Sequence, residues 1–132
     1  AVDLVSGELK WQVADEAFRR ITAYDSYIIA LKEDAVYAVN AISGETIWET
    51  EIEDLIHSLV LQEDTIYIVS NKYRDPTIYS LAFDTGEITW SRKVENFNSD
   101  DVSFFTKSGN MFIFREYERY RDDTLSGYIP EP

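Results

Sequence analysis

The sequence predicts an all-β protein built from the four-stranded antiparallel blades of a β-propeller, with about three blades' worth of strands. Three observations carry that reading. A Ser/Thr-Gly-Glu motif followed by Trp recurs three times along the 132 residues. Short runs of alternating apolar and polar residues separate the copies, which is the period of a half-buried strand. No segment keeps a sustained 3.6-residue apolar period, so helices should be scarce.

The first copy of the motif is Ala1-Val2-Asp3-Leu4-Val5-Ser6-Gly7-Glu8-Leu9-Lys10-Trp11. It aligns with Ala38-Val39-Asn40-Ala41-Ile42-Ser43-Gly44-Glu45-Thr46-Ile47-Trp48 and with Ser80-Leu81-Ala82-Phe83-Asp84-Thr85-Gly86-Glu87-Ile88-Thr89-Trp90. Trp11, Trp48 and Trp90 stand 37 and 42 residues apart, and the chain has no other tryptophan. Ser/Thr-Gly between apolar residues reads as a hairpin loop whose Gly takes the left-handed conformation that residues with a Cβ resist. A ring recurring at one place per unit is suited to packing between units, its indole N–H reaching a carbonyl.

The remaining elements follow in chain order. Ile21–Tyr24, Tyr27–Lys32 and Ala35–Asn40 read as three strands ahead of the second motif. Ser58–Gln62, Thr65–Asn71 and Ile78–Phe83 read as three more ahead of the third. Asp25-Ser26, Glu33-Asp34 and Glu63-Asp64 are short polar links of the kind that form tight turns. With the strand after each Trp motif, a unit has four short strands in about 40 residues, the signature of a propeller blade.

The pattern Ala-x-Asp-x-x-Thr/Ser-Gly-x-x-x-Trp resembles the tryptophan-docking motif of quinoprotein-type (PQQ-like) β-propeller repeats. Ala1 to Trp11 matches at each signature position, whereas the second copy has Asn40 for Asp and the third has Ser80 and Ala82 for Ala and Asp. The resemblance covers residues 1–117. It implies that Gly7, Trp11, Gly44, Trp48, Gly86 and Trp90 form a structural docking set, each ring stacking on the Gly-bearing turn of a neighbouring blade.

Blades are expected at 20–52 and 57–94, with partial blades at 1–13 and 102–117. In the first partial blade Ala1–Leu4 and Glu8–Val13 are the strands; in the last, Val102–Thr106 and Met111–Tyr117, joined by Lys107-Ser108-Gly109-Asn110. Residues 118–132 lose alternation and end in two prolines, which reads as a loop or linker. Closed propellers have about 4–8 blades. The favoured arrangement is therefore a segment of a larger propeller; the others are two copies closing six blades, a stand-alone curved stack, or an unusual three-unit closure. The expected partners are a protein or the remaining blades, including self-association into a homo-oligomer.

Charge narrows the function classes. Twelve basic against 25 acidic side chains leave a formal charge of −13, which disfavours nucleic acid and anionic lipid. No apolar run approaches the ~20 residues of a membrane-spanning helix. With no cysteine, disulfides and zinc-thiolate or iron–sulfur sites are excluded. His57, the one histidine, sits in the apolar run Leu55–Leu59 and reads as a strand residue rather than a base. The acidic pairs Glu33-Asp34, Glu53-Asp54, Glu63-Asp64, Asp100-Asp101 and Asp122-Asp123 belong to no calcium-loop pattern and read as solvated turns. No catalytic, cofactor-binding or metal-binding residue is assigned, and no cofactor is expected.

Two stretches invite a protein contact. The loop at 71–77 holds Tyr73 and Arg74, and Arg115, Tyr117, Arg119 and Tyr120 interleave aromatics with arginine, a composition enriched at interfaces. The leading function is a non-catalytic propeller acting as an interaction scaffold or sensor domain, extracytoplasmic by analogy with the family it resembles. The alternative is a segment of a PQQ-dependent alcohol or sugar dehydrogenase, in which a calcium-bound quinone sits on the propeller axis. The adjacent cysteines of many alcohol-oxidising members of that class are absent here.

Overall fold

The structure is a computed structural model and describes residues 1–13, 18–53, 55–70, 76–94, 102–109, 111–116 and 124–129. For residues 57, 102–106, 113–116 and 124–128 it describes the backbone. All eleven elements formed by the described residues are β-strands. Contacts divide the chain into two units, Ala1–Ile52 and Glu53–Pro132.

The first unit holds one antiparallel sheet in sequential order, β1 (Arg20–Tyr24), β2 (Tyr27–Leu31), β3 (Ala35–Asn40) and β4 (Thr46–Glu51). Its middle strands are buried on both faces: Ile29, Ala30 and Leu31 of β2 and Ala35, Val36, Ala38 and Val39 of β3 are at most 5% exposed. That explains the near-continuous apolar runs there, since strands covered on both sides do not alternate strictly. Outer β1 is mostly exposed, and β4 buries only Trp48. The β1–β2 connection is a two-residue turn between the paired Tyr24 and Tyr27, with Asp25 at φ 53°.

Ahead of this sheet, Ala1–Lys10 form a hairpin whose ladder is the single bridge Val2–Leu9. The two strands expected over Ala1–Leu4 and Glu8–Val13 are thus shorter than the sequence suggests. A two-stranded ribbon has little apolar cover of its own, and regular pairing is marginal without it.

The second unit holds two sheets. β5 (Ile56–Gln62), β6 (Thr65–Ser70), β7 (Thr77–Ala82) and β8 (Ile88–Lys93) repeat the sequential antiparallel order. β9 (Val102–Ser108), β10 (Met111–Glu116) and β11 (Thr124–Tyr128) form a three-stranded sheet in which β10 is central. Val69, Ile78, Val94 and Phe112 make a buried cluster with Val60, Tyr67 and Trp90 packed against it. The Glu63-Asp64 turn repeats the geometry of the first, with Glu63 at φ 54°.

β11 corrects the reading of 118–132 as loop or linker. Thr124–Tyr128 pair with Phe112–Glu116, Gly127 standing opposite Ile113. An edge strand requires a free ladder on its neighbour rather than apolar alternation, so the missing pattern was a poor guide.

The two four-stranded sheets share one irregularity. A register shift falls between Ala38 and Val39 where Ala38 pairs with Trp48, and between Ser80 and Leu81 where Ser80 pairs with Trp90. Each tryptophan therefore leaves its strand beside a bulge, which turns the local backbone and re-aims the side chain.

Candidate functional site: the glycine loops and their tryptophans

The three motif copies fold into one loop. Gly7 N–H donates to Asp3 O, Gly44 N–H to Asn40 O and Gly86 N–H to Ala82 O, at 2.8–2.9 Å. The opening residue donates in turn: Asp3 N–H to Glu8 O, Asn40 N–H to Glu45 O and Ala82 N–H to Glu87 O. Gly7, Gly44 and Gly86 have φ of 73°, 75° and 72°, the left-handed conformation in which a Cβ is costly. The hydroxyls of Ser6, Ser43 and Thr85 accept the N–H of the following Glu8, Glu45 and Glu87 at 3.2–3.3 Å. The motif's Ser/Thr and Gly thus have local structural work, and its Glu is used through its backbone.

Asp3 and Asn40 add a second device. Asp3 Oδ1 accepts the N–H groups of Val5 and Ser6 at 2.9 and 2.8 Å, and Asn40 Oδ1 accepts those of Ile42 and Ser43 at 2.9 and 3.0 Å. These side chains cap the loop as a turn-forming Asx residue does. Hydrogen bonds from the Ser6 and then the Val5 backbone hold the Asp3 carboxyl below the usual aspartate range. Ala82 has no side-chain acceptor, so the third loop keeps its backbone bonds without this cap.

Trp11 lies on the second loop. Its Nε1–H donates to Ala41 O at 2.9 Å, and its ring faces Gly44 so closely that a Cβ there would stand 2.6–2.8 Å from Cδ2, Cε3 and Cγ. A Cβ on Gly7 would meet nothing within 4 Å. Trp48 is buried in β4. Trp90 packs with Tyr67 and edge-on to Phe112, at centroid distances of 6.2 and 6.3 Å.

Of the residues expected at a protein contact, Tyr73, Arg74, Tyr117, Arg119 and Tyr120 lie outside the described residues, and Arg115 is placed in β10 by its backbone. His57 is likewise placed in β5 by its backbone. Two cation–aromatic arrangements carry no sequence signal. Lys107 Nζ donates to Gln62 Oε1 at 2.8 Å and to Gly109 O, and lies 5.2 Å from the Tyr67 ring centre. Lys32 Nζ lies 5.2 and 4.9 Å from the rings of Phe18 and Tyr37. The Tyr37 hydroxyl donates to Glu49 Oε1 at 2.7 Å, and that bond pushes its pKa upward. In the first unit an open, apolar cavity of about 470 Å³ is lined by Trp11, Phe18, Ile21, Ile28, Tyr37 and Val39, among others. Among the described residues no group of three or more His, Cys, Asp or Glu is placed to hold a metal. No helix of the described residues is long and apolar enough to cross a membrane.

A family model described as outer membrane protein assembly factor BamB matches residues 1–116. No curated protein matches the sequence. Among solved structures, BamB from Moraxella catarrhalis is similar at a TM-score of 0.68 and 16% identity, covering 96% of this chain and 42% of that one. The uncharacterized protein lmo1340 from Listeria monocytogenes EGD-e gives 0.62 and 16%, covering 91% and 39%. The AfRom2 CNH domain gives 0.54 and 13%, covering 87% and 35%. The chain thus spans about two fifths of the length of the first two structures, and at these identities the likeness is one of fold.

Proposed function

The chain belongs to the family of the outer membrane protein assembly factor BamB, and on that premise we propose that it is a non-catalytic β-propeller segment serving as a protein-interaction scaffold or sensor domain. The observation that supports this most is the use of the repeated polar groups. Asp3 and Asn40, the hydroxyls of Ser6, Ser43 and Thr85, and the Trp11 indole all hold backbone groups of the loops. The recurring motif therefore builds a rigid frame, and function falls to the loops and edges that the frame presents. An assembly factor for outer membrane proteins works outside the cytoplasm, and we place this chain there by that analogy.

The same proposal includes the blade limits 20–52 and 57–94, a partial blade at 1–13, a last partial blade that begins at 102 and takes in β11, and the docking role of Gly7, Trp11, Gly44, Trp48, Gly86 and Trp90. It also includes pairing with the remaining blades or a second copy, since an incomplete propeller leaves sheet edges open. Tyr73, Arg74, Arg115, Tyr117, Arg119 and Tyr120 remain its proposed contacts. The alternative reading is a segment of a PQQ-dependent alcohol or sugar dehydrogenase, whose calcium takes oxygen ligands from carboxylates and amides.

Titration with PQQ and calcium, followed by dye-linked oxidation of alcohols and sugars, tests the non-catalytic reading. No turnover is expected, and turnover would overturn it. Light scattering at micromolar concentration tests the open edges: self-association is expected, and a well-folded strict monomer would count against pairing with a second copy.

A further inference from the structure

The loop end of the first unit carries apolar side chains where water-exposed loops ordinarily carry polar ones. In the second and third loops, the residue after the opening position is tied to the turn between the first two strands of its sheet. Ala41 N–H donates to Ser26 O at 2.9 Å and Phe83 N–H to Asp64 O at 3.2 Å. Leu4 is the corresponding residue of the first loop and is fully exposed. The position after it is open to solvent in all three copies, as Val5, Ile42 and Asp84. Val5 is 99% exposed and Ile42 82%. Ile42 is the informative case, because its sheet has all four strands and its Asp25-Ser26 turn is in place. No missing strand of its own blade accounts for its exposure.

Two further features define the occupant. The hairpin and the second loop are held together: Trp11 reaches Ala41 and Gly44, and it lies four positions, at most roughly 13 Å of extended chain, from Gly7. The two apolar tips thus belong to loops that are joined through Trp11 within one unit. These two loops and the turn tied to Ala41 carry Asp3, Glu8, Asp25 and Glu45, all in exposed or half-buried positions. The one cation of these two motif copies, Lys10, is already paired with Glu8 at 3.2 Å. Exposed aliphatic tips on loops rich in carboxylates complement a segment with the opposite pattern.

We propose that this loop end, centred on Val5 and Ile42, docks a cationic segment of a partner protein that carries apolar side chains between its lysines or arginines. The inference rests on the scaffold reading and assigns it a surface and a partner chemistry.

A phage-displayed dodecapeptide library selected on the whole chain tests it. The consensus peptide is then titrated against wild type, against Val5→Ser/Ile42→Ser, and against Glu8→Gln/Glu45→Gln. All four positions are solvent-facing, and circular dichroism checks that the sheets persist. The expected peptides combine Lys or Arg with Leu or Phe and lose about tenfold in affinity on the serine variant. They also weaken on the glutamine variant and as salt rises, as screening of exposed charge requires. Peptides that bind wild type and serine variant alike would overturn the proposed surface while leaving the scaffold reading intact. Failure to select any peptide would count against both. Self-association that the serine variant abolishes would overturn the cationic partner in favour of a second copy.

Discussion

Gly44 and Gly7 occupy the same place in the same loop, with φ of 75° and 73°, yet only Gly44 faces an indole. Alanine substitution at the two positions therefore separates backbone strain from tertiary contact. At Gly7 the new methyl meets nothing within 4 Å, so the cost is the left-handed conformation alone, about 1–2 kcal/mol. At Gly44 the methyl would stand 2.6 Å from Trp11 Cδ2 and 2.8 Å from Cγ, so turning the ring about its Cβ–Cγ bond does not clear it. The indole has to leave, losing its 2.9 Å bond to Ala41 O, worth about 1 kcal/mol, and part of its packing. The Gly44→Ala cost is then about 3–4 kcal/mol, some 2 kcal/mol beyond Gly7→Ala. Urea denaturation of both variants, and of each in a Trp11→Ala background, measures the difference. In that background Gly44→Ala should fall back to about 1–2 kcal/mol, because the clash is gone. Equal costs for the two glycines, or no coupling to Trp11, would refute the reasoning.

Three other outcomes follow from the geometry. Trp48→Ala removes a buried ring from β4 and should cost about 3–5 kcal/mol; a thermal midpoint within error of wild type would contradict it. Ala82→Asn supplies the third loop with the cap that Asp3 and Asn40 give the others, and should raise stability by about 0.5–1 kcal/mol in urea. Because its folded pKa is lowered, Asp3 supports its loop above the ordinary aspartate pKa and loses that support as pH falls through the lowered value. Carbonyl NMR should show Asp3 titrating below the ordinary aspartate range, and Ser6→Ala should move it back upward.

The strands that the sequence marked most plainly are those with two buried faces. Ala35–Asn40 was readable to the residue, because Ala35, Val36, Ala38 and Val39 all lie in the core. The glycine loops were readable because backbone conformation restricts residue choice there. β11 was not, since an edge strand is specified by the ladder it joins, and Thr124–Tyr128 answer to β10. At the site, recurrence pointed to Trp11 and Gly44 as partners in kind, but their pairing with each other and the Ala41 carbonyl needed three dimensions. Lys107 with Gln62 was beyond reach for a similar reason: the two residues are 45 positions apart, and neither belongs to a repeated pattern.

Ring currents offer the most direct view of the repeated frame. With Trp11 seated on the second loop, an indole-to-Gly44 Hα nuclear Overhauser effect should appear, and the Gly44 Hα resonances should be displaced from their random-coil position while those of Gly7 stay near it. Matching, undisplaced Hα signals for the two glycines, with no cross-peak to the indole, would contradict an account in which successive leaves are joined through a tryptophan on a glycine loop.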